Sequence, residues 1–397
     1  MEIGEKRTYD MMEDPLIAAY ELSEIELQNL KIAAKKQLIL KDAKDMDYNS
    51  KLSAIKSSSF VVSLISFTGT SVVKQGCGVI LETEGNTNTV ITSLNLIRKS
   101  EGEGGALVDN NVVENVKVII RADDDNFYVA EVCGFDYFYN LLILRFKSRT
   151  TLRPATFAMI DDARFEVDVP LRRHSNKAKI GDNVVILGRY FYEPYHYMAV
   201  PGLLSVERFS PEDFGCNELL AIKCWISGYG DGAPVISTSG DLLGIIFYNM
   251  SSKAPLLPIN VISKFLEHYK KFGEMRHPSY GFEARNVHLS SVSTLMKLQK
   301  IFPNVLSVPN GLIIKNVFEG YNAESAGLKV GDVILSCDGS QINSFLELWD
   351  LMFNKVGKEV MLEVARLDLK MVEIVPLLID EASVDEEIYR WPRYDLG

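Results

Sequence analysis

The run Gly228-Tyr229-Gly230-Asp231-Gly232-Ala233-Pro234-Val235 sets one carboxylate, Asp231, in a glycine-rich turn where a reactive side chain could stand. A carboxylate is not activated to attack a peptide carbonyl in the way that a serine hydroxyl is activated by histidine. Paired-carboxylate chemistry would need Asp231 and a second acid, with Asp136 as the candidate, to share a proton at close range. That closeness is not expected. The five histidines are His174, His196, His268, His277 and His288. His174 follows Arg172-Arg173, and His196 lies among Tyr192, Tyr195 and Tyr197. Each reads as a surface or satisfied imidazole, and could act as a base only if a loop carried it into a cleft. The five cysteines, Cys77, Cys133, Cys216, Cys224 and Cys337, are scattered, with no CxxC pair and no histidine at metal-ligand spacing. They read as reduced thiols, and the pattern implies no metal and no cofactor.

The elements that must position Asp231 are short and β-rich. From Phe60 to about Phe265 the chain runs through segments such as Phe60–Ile65, Val116–Ile120, Leu141–Leu144 and Asn183–Gly188. Turn-forming clusters such as Glu101–Gly105 and Asp123–Asn126 lie between them, a pattern that predicts a sandwich or a pair of barrels. A helix over about Asn260–Lys271 closes this unit. A second unit begins near His277, with strands around Gly311–Val317 and Val330–Leu335 and a hairpin turn at Asp338-Gly339. An amphipathic helix is expected over Ser344–Asn354, followed by two closing strands that straddle Asp368. Ahead of both units, Ser23 and Glu26 form a capping box for a helix over Ile25–Met46. Its Leu27, Leu30, Ala34 and Leu38 share a face that could pack on the body or on another chain. Ser53–Ser59 reads as a polar connector. The expected divisions are therefore 1–57, an N-terminal helical extension, 58–275, 276–380, and an acidic tail over 381–397.

Composition narrows the function. The 397 residues are 47% hydrophobic and 24% charged, ordinary for a globular protein. A net charge of −11 argues against general nucleic-acid binding, which rests on clustered cations. The N-terminus is acidic and has no early apolar run, and no stretch is long enough to span a bilayer. A cytoplasmic or nuclear location, away from membranes, is the expectation.

Motif by motif, the chain resembles a divergent, plant-type member of the Deg/HtrA serine proteases. Glu319-Gly320-Tyr321-Asn322-Ala323-Glu324-Ser325-Ala326-Gly327-Leu328 and Lys329-Val330-Gly331-Asp332-Val333-Ile334 are similar to that family's PGSPAxxAGLxxGDVI segment. Gly76–Ile80 resembles its GSGFVI strand, and Asp241–Ile246 resembles its GxVIGI strand. The resemblance implies a mainly β fold, a chymotrypsin-like double β-barrel at 58–275 followed by a PDZ domain at 276–380. It also assigns a catalytic triad, in which all three positions have changed. Val90–Ile97 resembles the segment that supplies the histidine, and Asn95 stands there. Gly134–Leu144 resembles the segment that supplies the orienting aspartate, and Asn140 stands there. Asp231 takes the place of the serine, and Tyr229 that of an oxyanion-hole glycine.

The consequences of these changes are chemical. An amide at 95 cannot accept a proton near neutral pH. An amide at 140 cannot stabilise an imidazolium, and a carboxylate at 231 opposes the developing oxyanion. The resemblance thus implies a binding protein of the pseudoprotease kind, a regulator of active relatives or of client proteins in protein quality control. The alternative is an active serine endopeptidase with a rearranged site. Tyr280, Gly281 and Phe282 are expected to cap peptide C-termini or extended, unfolded segments, with the following strand adding the peptide by β-augmentation. Leu348 and Met352 would line the opposite wall of that groove, or else belong to the core. Family resemblance suggests homo- or hetero-oligomers, trimers in particular.

Overall fold

The computed structural model describes residues 46–99, 112–124, 126–162, 177–191, 197–205, 216, 218–224, 230–247, 253–273, 276–302, 311–367 and 369–382. The expected helix over Ile25–Met46 (save Met46), Tyr229, His174, His196 and most of the acidic tail lie outside the described residues.

The β-rich half closes into two barrels. The first is built from β1 (Val61–Thr68), β2 (Ser71–Glu84), β3 (Thr87–Ser93), β4 (Lys117–Arg121), β5 (Phe127–Asp136) and β6 (Leu141–Lys147). The second is built from β7 (Asn183–Arg189), β8 (Tyr197–Ser205), β9 (Leu220–Lys223), β10 (Pro234–Ser237), β11 (Leu242–Ile246) and β12 (Lys253–Pro258). The orders are β1-β2-β3-β6-β5-β4 and β10-β11-β12-β9-β8-β7. Closure leaves no unpaired strand edge in either barrel. Along β5, Tyr128 and Ala130 are buried and Glu131 is exposed, the period-2 alternation of a barrel wall.

A short helix precedes the barrels where a polar connector was expected. Helix α1 (Tyr48–Ser57) is capped by Asp47, whose carboxylate accepts from Ser50 N at 3.0 Å. Ser53 and Ser57 donate their hydroxyls to the carbonyls of Thr238 and Gly240, and Tyr197 donates to the Ala54 carbonyl. These serines read as loop formers in the sequence, but here they bind the helix to the second barrel through hydrogen bonds, which the composition of the segment does not reveal.

After helix α2 (Ile259–Phe272) comes a six-stranded sheet whose main path runs β14 (Phe282–Asn286), β15 (Leu312–Val317), β16 (Val333–Cys337), β18 (Glu359–Arg366), β19 (Met371–Leu378). The strand pair β13 (Pro278–Ser279) and β20 (Asp380–Glu381) closes the unit, and β17 (Ser340–Gln341) folds back on β16. Asp338 and Gly339 both have positive φ, 47° and 78°, as a two-residue type I′ hairpin requires. Helices α3 (Val292–Ile301), α4 (Asn322–Ser325) and α5 (Phe345–Phe353) complete it. Asp332 closes the turn before β16 by accepting from Lys329 N at 2.8 Å, and it pairs with the buried Arg366. That double duty is a physical reason for an aspartate at this point of the Gly-Asp-Val-Ile segment.

The sheet unit is seated on the barrels through aromatic side chains. Trp349 of α5 has no exposed surface and meets Tyr139, His268, His277 and Phe353. Two histidine–carboxylate contacts cross this boundary in opposite senses. His268 of α2 lies 2.8 Å from Asp350 of α5, and His277 lies 2.7 Å from Asp136 at the end of β5.

Candidate functional site

β3 ends at Ser93, and the chain then makes a single 3₁₀ turn over Leu94–Leu96 that carries Asn95. The Ser93 hydroxyl oxygen accepts from Asn95 N at 3.2 Å. Asn140 ends the turn between β5 and β6 with φ 54°, a left-handed conformation that asparagine tolerates better than most residues. Its carbonyl accepts from Leu94 N at 2.9 Å, and its amide donates to the same Ser93 oxygen at 3.1 Å. Ser93 thus gathers both positions, yet the two carboxamide oxygens, Asn95 Oδ1 and Asn140 Oδ1, are buried without a hydrogen-bond partner among the described residues.

Asp231 is brought to the same place by backbone contacts between the barrels. Its carbonyl accepts from Cys77 N at 2.9 Å, and Ala233 N closes the turn on Gly230 O at 2.9 Å. Gly232 has φ 76°, and a Cβ there would stand 2.3 Å from Cys77 O, 2.4 Å from Thr92 Oγ1 and 3.0 Å from Ser93 N. Only glycine fits so close an approach. The turn carrying Asp231 therefore rests directly on the strand end that leads to Asn95.

The junction is electrostatically loaded. Arg98, three residues beyond Asn95, is completely buried, donates to Tyr137 O at 3.4 Å and lies over the Tyr137 ring. Burial pushes its guanidinium below the usual arginine value, while Tyr137, Asp136 and Asp231 hold it up. Lys74 is likewise pushed down by burial, held up by Asp231 and pushed further down by Arg98. Asp231, only 8% exposed, thus favours the charged form of both cations. Asp136 is turned elsewhere, accepting from Phe138 N and Tyr139 N at 3.0 and 3.1 Å and facing His277.

His277 Nδ1 accepts from the Trp349 indole N–H at 3.4 Å, and Nε2 lies 2.7 Å from an Asp136 carboxylate oxygen without hydrogen-bond geometry. His268 faces Asp350, and His288 sits in a 3₁₀ turn after β14. Burial raises the thiols: Cys77 to about 11, Cys224 and Cys337 to about 12, and Cys216 well above its usual value. These thiols are inert at neutral pH. Ser93, Arg98 and Lys74 escaped the sequence reading. The first two lie in or beside the segment that drew attention to Asn95, but a serine and an arginine there carry no signal of their own until the fold buries them.

In the sheet unit, Tyr280, Gly281 and Phe282 precede and open β14, which pairs with β15 on one side only. The Tyr280 ring lies 5.8 Å from Phe282 and 5.4 Å from Phe345 of α5, so the loop and the helix meet. Gly281 has φ 67° and accepts from Phe318 N at 2.9 Å, while a Cβ there would lie 2.4 Å from Tyr321 Cβ. Leu348 and Met352 have no exposed surface, so in this conformation they present nothing to a peptide.

A profile of the PDZ domain family matches residues 281–374. The Arabidopsis thaliana protein designated protease Do-like 14 is 25% identical over 333 residues, covering 80% of this chain and 68% of that one. A serine protease HtrA-like protein of Staphylococcus haemolyticus is 24% identical over 297 residues, 70% of this chain and 40% of its own length. Among solved structures, the serine endoprotease from Yersinia pestis overlaps 85% of this chain and 100% of its own, with a TM-score of 0.53 at 17% identity. The HtrA-type protease AlgW with tripeptide overlaps 84% and 97%, with a TM-score of 0.56 at 15% identity.

Proposed function

We propose that this chain, a Deg/HtrA-like double barrel with a C-terminal PDZ domain, acts by binding polypeptides and not by cleaving them. One observation carries the reading: the junction where a hydrolase of this fold works holds Asn95, Asn140 and Asp231. Neither amide can take a proton, and a buried carboxylate stands where negative charge would have to develop. Loss of a triad lowers turnover by about 10⁶. In the PDZ domain, Tyr280, Gly281 and the open edge of β14 are the parts suited to receive a peptide C-terminus or an extended segment. Leu348 and Met352 join that site only if α5 shifts.

The rival reading, a rearranged serine endopeptidase, finds one hydroxyl at the junction in a suitable place, that of Ser93. Its oxygen is occupied by two N–H donors, which support an acceptor role and not an attacking one. The decisive experiment is cleavage of casein or of an unfolded protein by purified material, beside an Asp231→Ala variant and a Ser93→Ala variant. No turnover above the uncatalysed rate is expected. Turnover abolished by either substitution refutes the proposal. Binding is tested by titrating a library of free C-terminal peptides against the amide resonances of residues 280–286, which should shift. Shifts confined to other residues would remove the assignment.

A further inference from the structure

Two positive charges meet on the face of the PDZ sheet turned away from α5. Residues directly opposite each other in an antiparallel pair share a face. Ala284 and Ile314 are such a pair, and both belong to the main apolar core with Leu348 and Trp349 of α5. Arg285 lies opposite Ile313, which packs in a separate cluster with Leu298 of α3, so Arg285 stands on the outer face. The register slips between Glu283 and Ala284, and Lys315 is the extra residue of β15 at that bulge. Burial and the Arg285 charge both hold the Lys315 ammonium below its ordinary range, so the two cations act on each other. Arg285 Nε is buried without a hydrogen-bond partner, and neither cation forms an ion pair among the described residues. Like charges left together on a chain of net charge −11 are suited to a carboxylate supplied by a ligand.

Beside these cations runs the edge of β14 that no described strand pairs, and it begins at the loop 280–282. An antiparallel strand added there, its carboxylate held by that loop, sets its last residue beside Phe282. It then steps back one residue for each residue of β14. Its last and third-from-last side chains turn with Phe282 and Ala284 toward α5. Its second- and fourth-from-last side chains lie on the outer face, opposite Glu283 and Arg285. Toward α5 the wall is closed, since Leu348 and Met352 have no exposed surface, whereas the outer face offers charged side chains. We propose that Arg285 and Lys315 select Asp or Glu at the fourth position from the C-terminus of a bound polypeptide. Glu283 repels an acid at the second position. The inference rests on the reading that β14 receives a peptide C-terminus, and adds to it which C-termini are taken.

Selection by the full chain from a library of short peptides with free carboxylates and randomised C-terminal residues tests it, beside the same library bearing C-terminal amides. Sequencing of the retained pool should show Asp and Glu enriched roughly fivefold over Gln at the fourth position from the end. At the second position they should be depleted. Arg285→Gln with Lys315→Gln should abolish the fourth-position preference while free-carboxylate peptides are still retained. Arg285→Glu with Lys315→Glu should reverse it toward Lys and Arg, with an unchanged melting curve showing that the sheet is intact. Free-carboxylate peptides retained without acid enrichment at the fourth position would overturn this inference and leave the C-terminal reading standing. So would an acid preference that survives in both double variants. Equal retention of free and amidated peptides would overturn the C-terminal reading itself, and this inference with it.

Discussion

Asp231 offers the sharpest test, because Asp231→Asn keeps its shape and removes only its charge. Arg98 has no exposed surface, so its charge is bearable only because carboxylates act on it, and the structure supplies Asp136 and Asp231. Removing the partner of a buried ion costs about 3–5 kcal/mol when that partner stands alone. Arg98 keeps Asp136 and Lys74 is partly exposed, so the expected loss is about 2 kcal/mol. For a unit of the barrels' size that is a fall of about 4–8 °C in melting temperature. The mechanism is isolated by a double-mutant cycle in urea with Asp231→Asn, Arg98→Met and the pair together. A coupling energy of about 1 kcal/mol or more is expected, because the second substitution removes the charge that the first leaves stranded. A coupling within about 0.3 kcal/mol of zero refutes the reasoning, since Asp231 would then be a bystander.

Asp231 matters equally when a serine-protease triad is installed at these positions. Asn95→His, Asn140→Asp and Asp231→Ser together would reinstate the three side chains, but Arg98 would remain with one carboxylate fewer. The triple variant is expected to be less stable than the parent and to gain from a further Arg98→Met.

Gly232→Ala should destabilise by more than about 3 kcal/mol or prevent folding, because both its positive φ and its contact with Cys77 O exclude a methyl group; a normal melting curve would show that the barrels are not so closely apposed. Trp349→Ala should cost about 3–5 kcal/mol and split one unfolding transition into two by freeing the PDZ domain from the barrels; a single unshifted transition would contradict the docking. Asp350 is pushed up by burial, but the His268 hydrogen bond and the Lys264 charge hold it below its ordinary 3.8. Its contribution is therefore complete above about pH 4 and is lost as pH falls through the lower folded value. Asp350→Asn should flatten that acid limb, and an unchanged limb in acid titration would show that the pair contributes nothing.

The architecture was legible because it is written in local signals. Gly331-Asp332, Asp338-Gly339 and the Ser344 cap each fix a turn or a helix start through their own backbone preferences, and the strands around Leu141 and Asn183 announce themselves by composition. The short helix α1 was not legible, since Ser53 and Ser57 stabilise it only by reaching carbonyls of Thr238 and Gly240, far along the chain. The same limit governs the site. Asn95, Asn140 and Asp231 could be named because the segments that carry them resemble those of the Deg/HtrA serine proteases. The residues that decide what the place can do, Ser93, Lys74 and Arg98, had no such flag. Their significance comes from burial and from charges on other strands, which exist only once both barrels are closed.

That limit also explains why the two histidines at the domain boundary are not spare catalysts. His268 and His277 lie nine residues apart in sequence, on either side of the connection between barrel and PDZ domain, and each finds its carboxylate in the opposite domain. His277 is held at this boundary by the Trp349 indole hydrogen bond to its Nδ1 and by the 2.7 Å approach of its Nε2 to Asp136. Moving it to the junction would break the 2.7 Å contact with Asp136, the indole hydrogen bond and the aromatic packing around Trp349 together. His268 and His277 are thereby committed to the seam between the two domains and not to the junction at Asn95.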